Sequence, residues 1–179
     1  MFNLLKGKKK NLKSIDKNGV DYKIKNFRAL GITENKRDTK IIVSLTSFPE
    51  RMDDVHYTLY SLLNQEFKPD EIILWLSQEE FPNKELDLPD EVIKFKENGL
   101  QIKWCDNLYS YKKLIPTLKE YNNKNCIIVT ADDDIFYEKK WLLKLYETHL
   151  KEPDCIICHR AHKIKLENEN IAPYKKWRK

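Results

Sequence analysis

The sequence has little glycine, little methionine and no long apolar stretch. Its 179 residues include 4 Gly, 7 Pro and 2 Met, and this composition excludes a collagen-like or low-complexity chain. No apolar run reaches the roughly 18 residues that a membrane-spanning helix needs. Neither a P-loop pattern nor the dinucleotide fingerprint GxGxxG occurs. With 41% apolar and 11% aromatic residues, the chain is still able to bury a core of ordinary size.

Basic residues are concentrated near the amino terminus. Residues 1–40 hold 12 Lys and Arg against 4 Asp and Glu, a net charge of +8, whereas residues 41–179 hold 21 against 24, a net charge of −3. Because the body is mildly acidic, no nucleic-acid partner is predicted. We expect residues 1–39 to be a basic, loosely ordered N-terminal arm, either solvated or in peripheral contact with an anionic membrane. Residues 40–179 are expected to form the folded domain.

The cysteines and the first residues bear on location. The four cysteines lie in or beside apolar runs, as small core residues do: Cys105, Cys126, Cys155 and Cys158. Residues 1–13 place apolar residues before the lysines, the reverse of a secretory signal. We therefore expect a cytoplasmic protein with reduced thiols, peripheral at the inner membrane face if the arm binds lipid.

The segment Cys155–His159 (CIICH) matches the spacing of a haem-attachment site, and His162 adds a possible zinc ligand. Haem attachment requires export, for which the sequence shows no signal. In a strand, Cys155 and Cys158 would face opposite sides of the sheet, which opposes a shared zinc ion. Core packing is therefore the favoured interpretation of these two cysteines.

Short apolar runs alternate with amphipathic segments along residues 40–179. The predicted strands cover residues 41–45, 71–76, 100–105, 126–130 and 155–158. Helical spacing of apolar residues predicts helices over 53–65, 92–97, 114–121 and 138–150. This alternation predicts an α/β fold, with a mainly parallel, Rossmann-like sheet and helices on both faces.

Three carboxylates, Asp132, Asp133 and Asp134, directly follow the fourth predicted strand. Ligands of parallel sheets bind beyond the carboxyl ends of the strands. Adjacent carboxylates repel one another, and Mg²⁺ or Mn²⁺ held together with substrate phosphates would stabilise them. Two other interpretations stay open. One is an exposed acidic turn or helix start. The other is the Asp-x-Asp of a haloacid-dehalogenase-like phosphatase, in which Gly-Thr normally stands where this chain has Ile135-Phe136.

Several sequence blocks occur in a characteristic order. They are 41–51 (IIVSLTSFPER), 72–77 (IILWLS), 81–82 (FP), 107–118 (NLYSYKKLIPTL), 130–137 (TADDDIFY) and 158–162 (CHRAH). This ordered set resembles the family-2-like bacterial glycosyltransferases of the GT-A fold, which are found among capsule and lipopolysaccharide enzymes. The resemblance covers roughly residues 40–177.

The resemblance implies a GT-A-type nucleotide-sugar-binding domain and a metal-dependent glycosyltransferase. The donor would be a nucleotide-diphosphate sugar, with UDP as the family-based choice, and the acceptor a glycan or lipid-linked sugar in surface polysaccharide synthesis. Asp132 and Asp134 would bind Mn²⁺ or Mg²⁺. The implied donor-binding residues are Thr46, Ser47, Arg51, Lys112, Lys113 and Asp132.

The chain departs from the family pattern in its length. Full-length members continue well past the fifth strand, where acceptor contacts and the catalytic base lie, whereas this sequence ends at Lys179. We therefore expect either a shortened enzyme or a donor-binding module without turnover. The catalytic base is unassigned, with Asp133, His159 and His162 as candidates.

Overall fold

A computed structural model describes residues 2–4, 10–122 and 124–177. Its strands are β1 (Phe2–Leu4), β2 (Lys10–Asn11), β3 (Lys40–Thr46), β4 (Glu71–Ser77), β5 (Leu100–Cys105), β6 (Cys126–Thr130), β7 (Ile135–Phe136), β8 (Ile156–Cys158), β9 (Leu166–Glu167) and β10 (Asn170–Ile171). Its α-helices are α1 (Lys17–Lys25), α2 (Met52–Leu63), α3 (Asp90–Lys94), α4 (Ile115–Glu120) and α5 (Trp141–Lys151). Its 3-10 helices are Leu12–Ser14, Pro49–Arg51, Lys84–Asp87, Phe95–Asn98, Tyr109–Lys113 and Tyr174–Lys176.

The chain divides into two compact units. The described residues of Lys9–Lys140 form the larger unit, and those of Met1–Lys8 and Trp141–Lys179 form the smaller one. No helix in the described part of the chain is both long enough and apolar enough to cross a bilayer.

The larger unit is built on a four-stranded sheet in the order β5-β4-β3-β6, with every pair of neighbours parallel. Helices flank this sheet, so its central strands are buried along almost their whole length; Ile42, Ile73 and Leu74 are completely buried. The predicted α/β fold with a parallel sheet is thus confirmed. Within this sheet β3 comes first along the chain, yet it lies between β4 and β6, so the strand order reverses direction between β3 and β6.

The strand predicted at residues 155–158 forms as β8, outside the four-stranded sheet. It pairs in parallel with β1, with Ile156 opposite Phe2 and Cys158 opposite Leu4, in a separate two-stranded sheet. A three-residue apolar strand fits several sheet edges, because nothing in its own composition specifies a partner. The sequence therefore identified the strand but not its sheet.

Residues 10–39, part of the predicted N-terminal arm, contain a short strand and a helix. Strand β2 pairs antiparallel with β7, and α1 begins at an N-cap, Asp16, whose carboxylate accepts from the Gly19 amide at 3.2 Å. The side chains of Leu12 and Val20 are buried. At least two of the scattered apolar residues in this segment are thus core residues. The lysine-rich stretch at 5–9 lies outside the described residues.

A buried hydroxyl network links the sheet to α4. The Trp75 indole Nε1–H donates to Thr117 Oγ1 at 2.8 Å, and the same oxygen lies 2.8 Å from Ser44 Oγ. Thr117 and Ser44 are completely buried. The network satisfies three polar groups that would otherwise be costly inside the core.

A second polar cluster surrounds Glu71 at the amino end of β4. Its carboxylate accepts from Lys40 Nζ at 3.1 Å, from Gln101 Nε2 at 3.0 Å and from the Tyr121 hydroxyl. Burial by itself would raise the pKa of Glu71, but these hydrogen bonds outweigh it and hold that pKa below its ordinary value.

Candidate functional site

The candidate site lies where the strand order reverses. Strands β3 and β6 are parallel neighbours, and in parallel α/β sheets ligands bind beyond the carboxyl ends of the strands at such a reversal point. The region at the carboxyl ends of β3 and β6 is called the crevice below. The segment that leaves β3 carries Thr46, Ser47 and Arg51, and the segment that leaves β6 carries Asp132–Asp134. The sequence-predicted donor residues of both segments therefore lie at one edge of the sheet.

Asp133 joins the two segments. Ser47 Oγ donates to Asp133 Oδ2 at 2.7 Å, and Thr58 of α2 donates to the backbone carbonyls of Asp133 and Ile135 at 2.8 and 3.0 Å. Burial raises the pKa of Asp133, while the Ser47 hydrogen bond and the Arg51 charge oppose this only in part. Asp133 is therefore directed into the protein, as expected of a residue that fixes the loop.

Arg51 and Asp134 form an ion pair across the crevice. Their Nη2 and Oδ2 atoms are 3.5 Å apart, and both side chains are partly open to water. Arg51 ends the 3-10 helix Pro49–Arg51 directly before α2. The position of the arginine is thus set by the start of a well-packed helix.

Lys113 and Asp132 form a second and shorter pair. Lys113 Nζ lies 2.6 Å from Asp132 Oδ1, with the two side chains 25% and 51% exposed. The Asp132 backbone amide donates to the hydroxyl of Tyr137 at 2.7 Å, and Tyr137 is buried. The backbone of Asp132 is therefore fixed, while its carboxylate reaches water.

Lys112 is held quite differently from Lys113. Its side chain is only 2% exposed, and its ammonium donates to the Ser47 carbonyl at 3.3 Å and to the carboxylate of Glu80. Lys112 was expected at the site from the family resemblance, whereas Glu80 was not. The missed signal was position, because Glu80 follows β4 and so lies at the same edge of the sheet.

Glu80 belongs to a short chain of contacts. Asn107 Nδ2 lies 3.5 Å from Glu80 Oε1, and Asn107 Oδ1 accepts from the Tyr109 amide at 3.1 Å. Tyr109 has a φ of +52°, in the left-handed region, and its ring is exposed. The segment that carries both lysines is thus anchored at its start as well as through Lys112.

Thr46 is at the same edge, but its hydroxyl is already used. Its Oγ1 donates to the backbone carbonyl of Trp75 at 2.8 Å, so this contact joins β3 to β4. Trp75 itself is buried. The predicted donor role of Thr46 stays a prediction.

His159 and His162, the other candidates for a catalytic base, belong to the smaller unit. The His159 ring stacks on Trp141 with centroids 6.3 Å apart. His162 Nε2 accepts from Arg160 Nε at 3.1 Å, and its ring lies 5.1 Å from that of Tyr174. Their catalytic roles remain predictions.

The expected ligands of a divalent metal, Asp132 and Asp134, are both carboxylates at the end of β6. In residues 2–4, 10–122 and 124–177, no group of three or more His, Cys, Asp or Glu side chains is arranged to hold a metal ion. Asp132 and Asp134 nevertheless offer half-open carboxylates at a strand end. Mg²⁺ is commonly bound by one or two carboxylates together with substrate phosphates. The carboxylates thus suit a cation that arrives with a diphosphate.

Comparison with known proteins does not assign a family. No protein-family model matches the chain, and no curated protein matches it either. Any function must therefore rest on the chemistry of the crevice and on the order of the sequence blocks.

Proposed function

We propose that the chain binds a nucleotide-diphosphate sugar at the carboxyl ends of β3 and β6, as a metal-dependent glycosyltransferase of the GT-A type. One observation carries the proposal. At the reversal point of the parallel sheet, Arg51 and Lys113 are paired with two of three consecutive carboxylates. A diphosphate needs cationic side chains, and a divalent cation needs carboxylates; this crevice offers both.

In this proposal the residues of the chain have separate roles. Arg51 and Lys113 bind the diphosphate and stabilise negative charge on it as it leaves the sugar. Asp132 and Asp134 hold Mn²⁺ or Mg²⁺, which when bound adds Lewis-acid stabilisation of the same charge. Ser47 and Asp133 fix the two loops against each other through their 2.7 Å hydrogen bond.

The proposed acceptor is a glycan or a lipid-linked sugar, in keeping with the capsule-type resemblance. The basic N-terminal segment is proposed to contact anionic lipid, because its net charge is +8 over residues 1–40. Such a contact would keep the enzyme near a lipid-linked acceptor on the cytoplasmic face of the membrane.

Donor binding is tested by calorimetry with UDP, GDP and CDP, each with and without Mn²⁺. We expect metal-dependent binding of at least one nucleotide. Asp134→Asn should weaken that binding by about 10-fold or more, because even outer-shell partners of a metal change its affinity 10- to 100-fold. Asp38→Asn, the same charge change at an exposed position of the larger unit, should leave it unchanged. If no nucleotide binds with Mn²⁺, the proposal is wrong.

Turnover is tested separately. Release of free UDP from a UDP-sugar only when acceptor is present supports transfer. Metal-dependent binding without any release would identify a donor-binding module instead. Hydrolysis of a phosphomonoester in the absence of nucleotide sugar would favour the phosphatase interpretation.

A further inference from the structure

The two adjacent lysines of the crevice differ in how tightly they are held. Lys112 is 2% exposed and is bound by the Glu80 carboxylate and the Ser47 carbonyl. Lys113 is 25% exposed and has as its partner Asp132, which is 51% exposed. The Lys112 ammonium is enclosed by protein, whereas the Lys113–Asp132 pair is in contact with water.

This difference decides which lysine is able to change partners. Moving Lys112 away from Glu80 would break an ion pair whose ammonium is almost completely buried, and breaking such a pair is strongly unfavourable. Breaking the Lys113–Asp132 pair costs little, because water solvates both ends and a solvent-exposed pair is only weakly stabilising. Only Lys113 is therefore free to move to a ligand.

Asp132 is the carboxylate that such an exchange would release. A divalent cation bound to Asp132 would lie within a few ångström of the Lys113 ammonium, because Nζ is 2.6 Å from Oδ1. The two positive charges would repel each other. A metal ion at Asp132 and an ammonium at Asp132 are thus competitors.

We propose that Lys113 and Asp132 form an exchangeable pair, while Lys112 is a positioning residue that Glu80 holds in place. When ligands bind, Lys113 leaves Asp132 for the diphosphate, and Asp132 takes the divalent cation. This inference rests on the proposed function, since it assigns roles within the same crevice. It separates two lysines that the sequence block presents as equivalent.

The exchange has a thermodynamic consequence. A metal ion that binds alone must displace Lys113, and a diphosphate that binds alone must also separate the pair. When both bind, the pair is broken only once. Metal and diphosphate therefore promote each other's binding, and linkage requires that the factor is the same in both directions.

The test measures three equilibria by calorimetry: Mn²⁺ alone, UDP alone, and UDP at saturating Mn²⁺. Each is measured for the parent chain, for Lys113→Gln and for Lys119→Gln, which makes the same charge change at an exposed position on α4. In Lys113→Gln, Mn²⁺ alone should bind about 2- to 5-fold more tightly, as expected for a lost exposed ion pair. The factor by which Mn²⁺ promotes UDP binding should fall by a similar ratio. Lys119→Gln should change neither.

The outcomes separate this inference from the proposed function. If the parent binds UDP with Mn²⁺ but Lys113→Gln leaves the Mn²⁺ affinity and the coupling unchanged, the exchange is wrong and the proposed function stands. If the parent binds no nucleotide, the proposed function fails, and the Mn²⁺-alone titrations still test the pair. Mn²⁺ binding that is equal in both proteins, or absent from both, overturns the exchange.

Discussion

Replacing Glu80 by Gln tests the most enclosed ion pair among the described residues of the larger unit. The substitution keeps the size of the side chain and removes its charge, so Lys112, 2% exposed, retains only neutral partners such as the Ser47 carbonyl. Removing one partner of a fully buried pair costs about 3–5 kcal/mol. Because Glu80 is 23% exposed and water is able to replace part of the lost contact, we expect about 2–3 kcal/mol. In a chain of this size that lowers Tm by about 4–12 °C.

Thermal and urea unfolding, followed by circular dichroism, measure this loss. Glu79→Gln is the matched control, since Glu79 is the exposed neighbour and its substitution removes the same charge. Lys112→Met should cost less than Glu80→Gln, because Glu80 keeps access to water. The double variant should be more stable than Glu80→Gln alone, because it no longer buries an unpaired ammonium. Equal stability of Glu80→Gln and Glu79→Gln would refute the reasoning.

Three further substitutions test features of the fold. Thr117→Val removes the oxygen that accepts from the Trp75 indole, and urea unfolding should show a loss of about 1–3 kcal/mol; an unchanged midpoint would contradict the network. Gly99→Ala places a Cβ 2.8 Å from Ile32 Cγ1 at a residue with φ +98°, so a thermal melt should show a loss of about 1–2 kcal/mol, and an unchanged Tm would show that the backbone relaxes. The pKa of Glu71 is lowered in the folded state, so its contribution is complete above its unfolded pKa and is lost as pH falls through the folded one. In Glu71→Gln the free energy of unfolding should therefore depend less on pH in the acid range. An unchanged pH dependence would show that Glu71 does not contribute to it.

The positions of the four sheet strands were predictable from the sequence because both faces of the sheet are covered. A strand buried on both faces is apolar at nearly every position, as the run Ile41–Leu45 is apart from Ser44, and such a run is typical of a buried strand. The turn at Asn98–Gly99 was predictable for a different local reason. Gly99 adopts the left-handed conformation that ends the helical segment, and glycine is the residue that most often does so. The strands and this turn are thus each determined by the residues of the segment itself.

The pairing of charged side chains was not predictable in the same way. The family resemblance implied that Lys112 and Lys113 lie near the site, but only the fold of the loops shows that one contacts Glu80 and the other Asp132. Contacts between residues 19 to 32 positions apart depend on loop conformations that no single periodicity specifies. The same limitation applies to β8, whose partner strand comes from the other end of the sequence.

The pairing of β2 with β7 has a consequence for the order in which the molecule is assembled. Asn11 lies opposite Ile135, and the Leu12 amide donates to the Asp134 carbonyl at 3.4 Å. A ribosome adds about 5–20 residues per second. It therefore makes Ile135 roughly 6–25 seconds after Asn11. Throughout this interval the edge of β2 has no strand to pair with. The loop that carries the carboxylates is therefore among the last parts of the larger unit to reach its final form, and slow translation through residues 126–136 would prolong the exposure of an unpaired N-terminal segment.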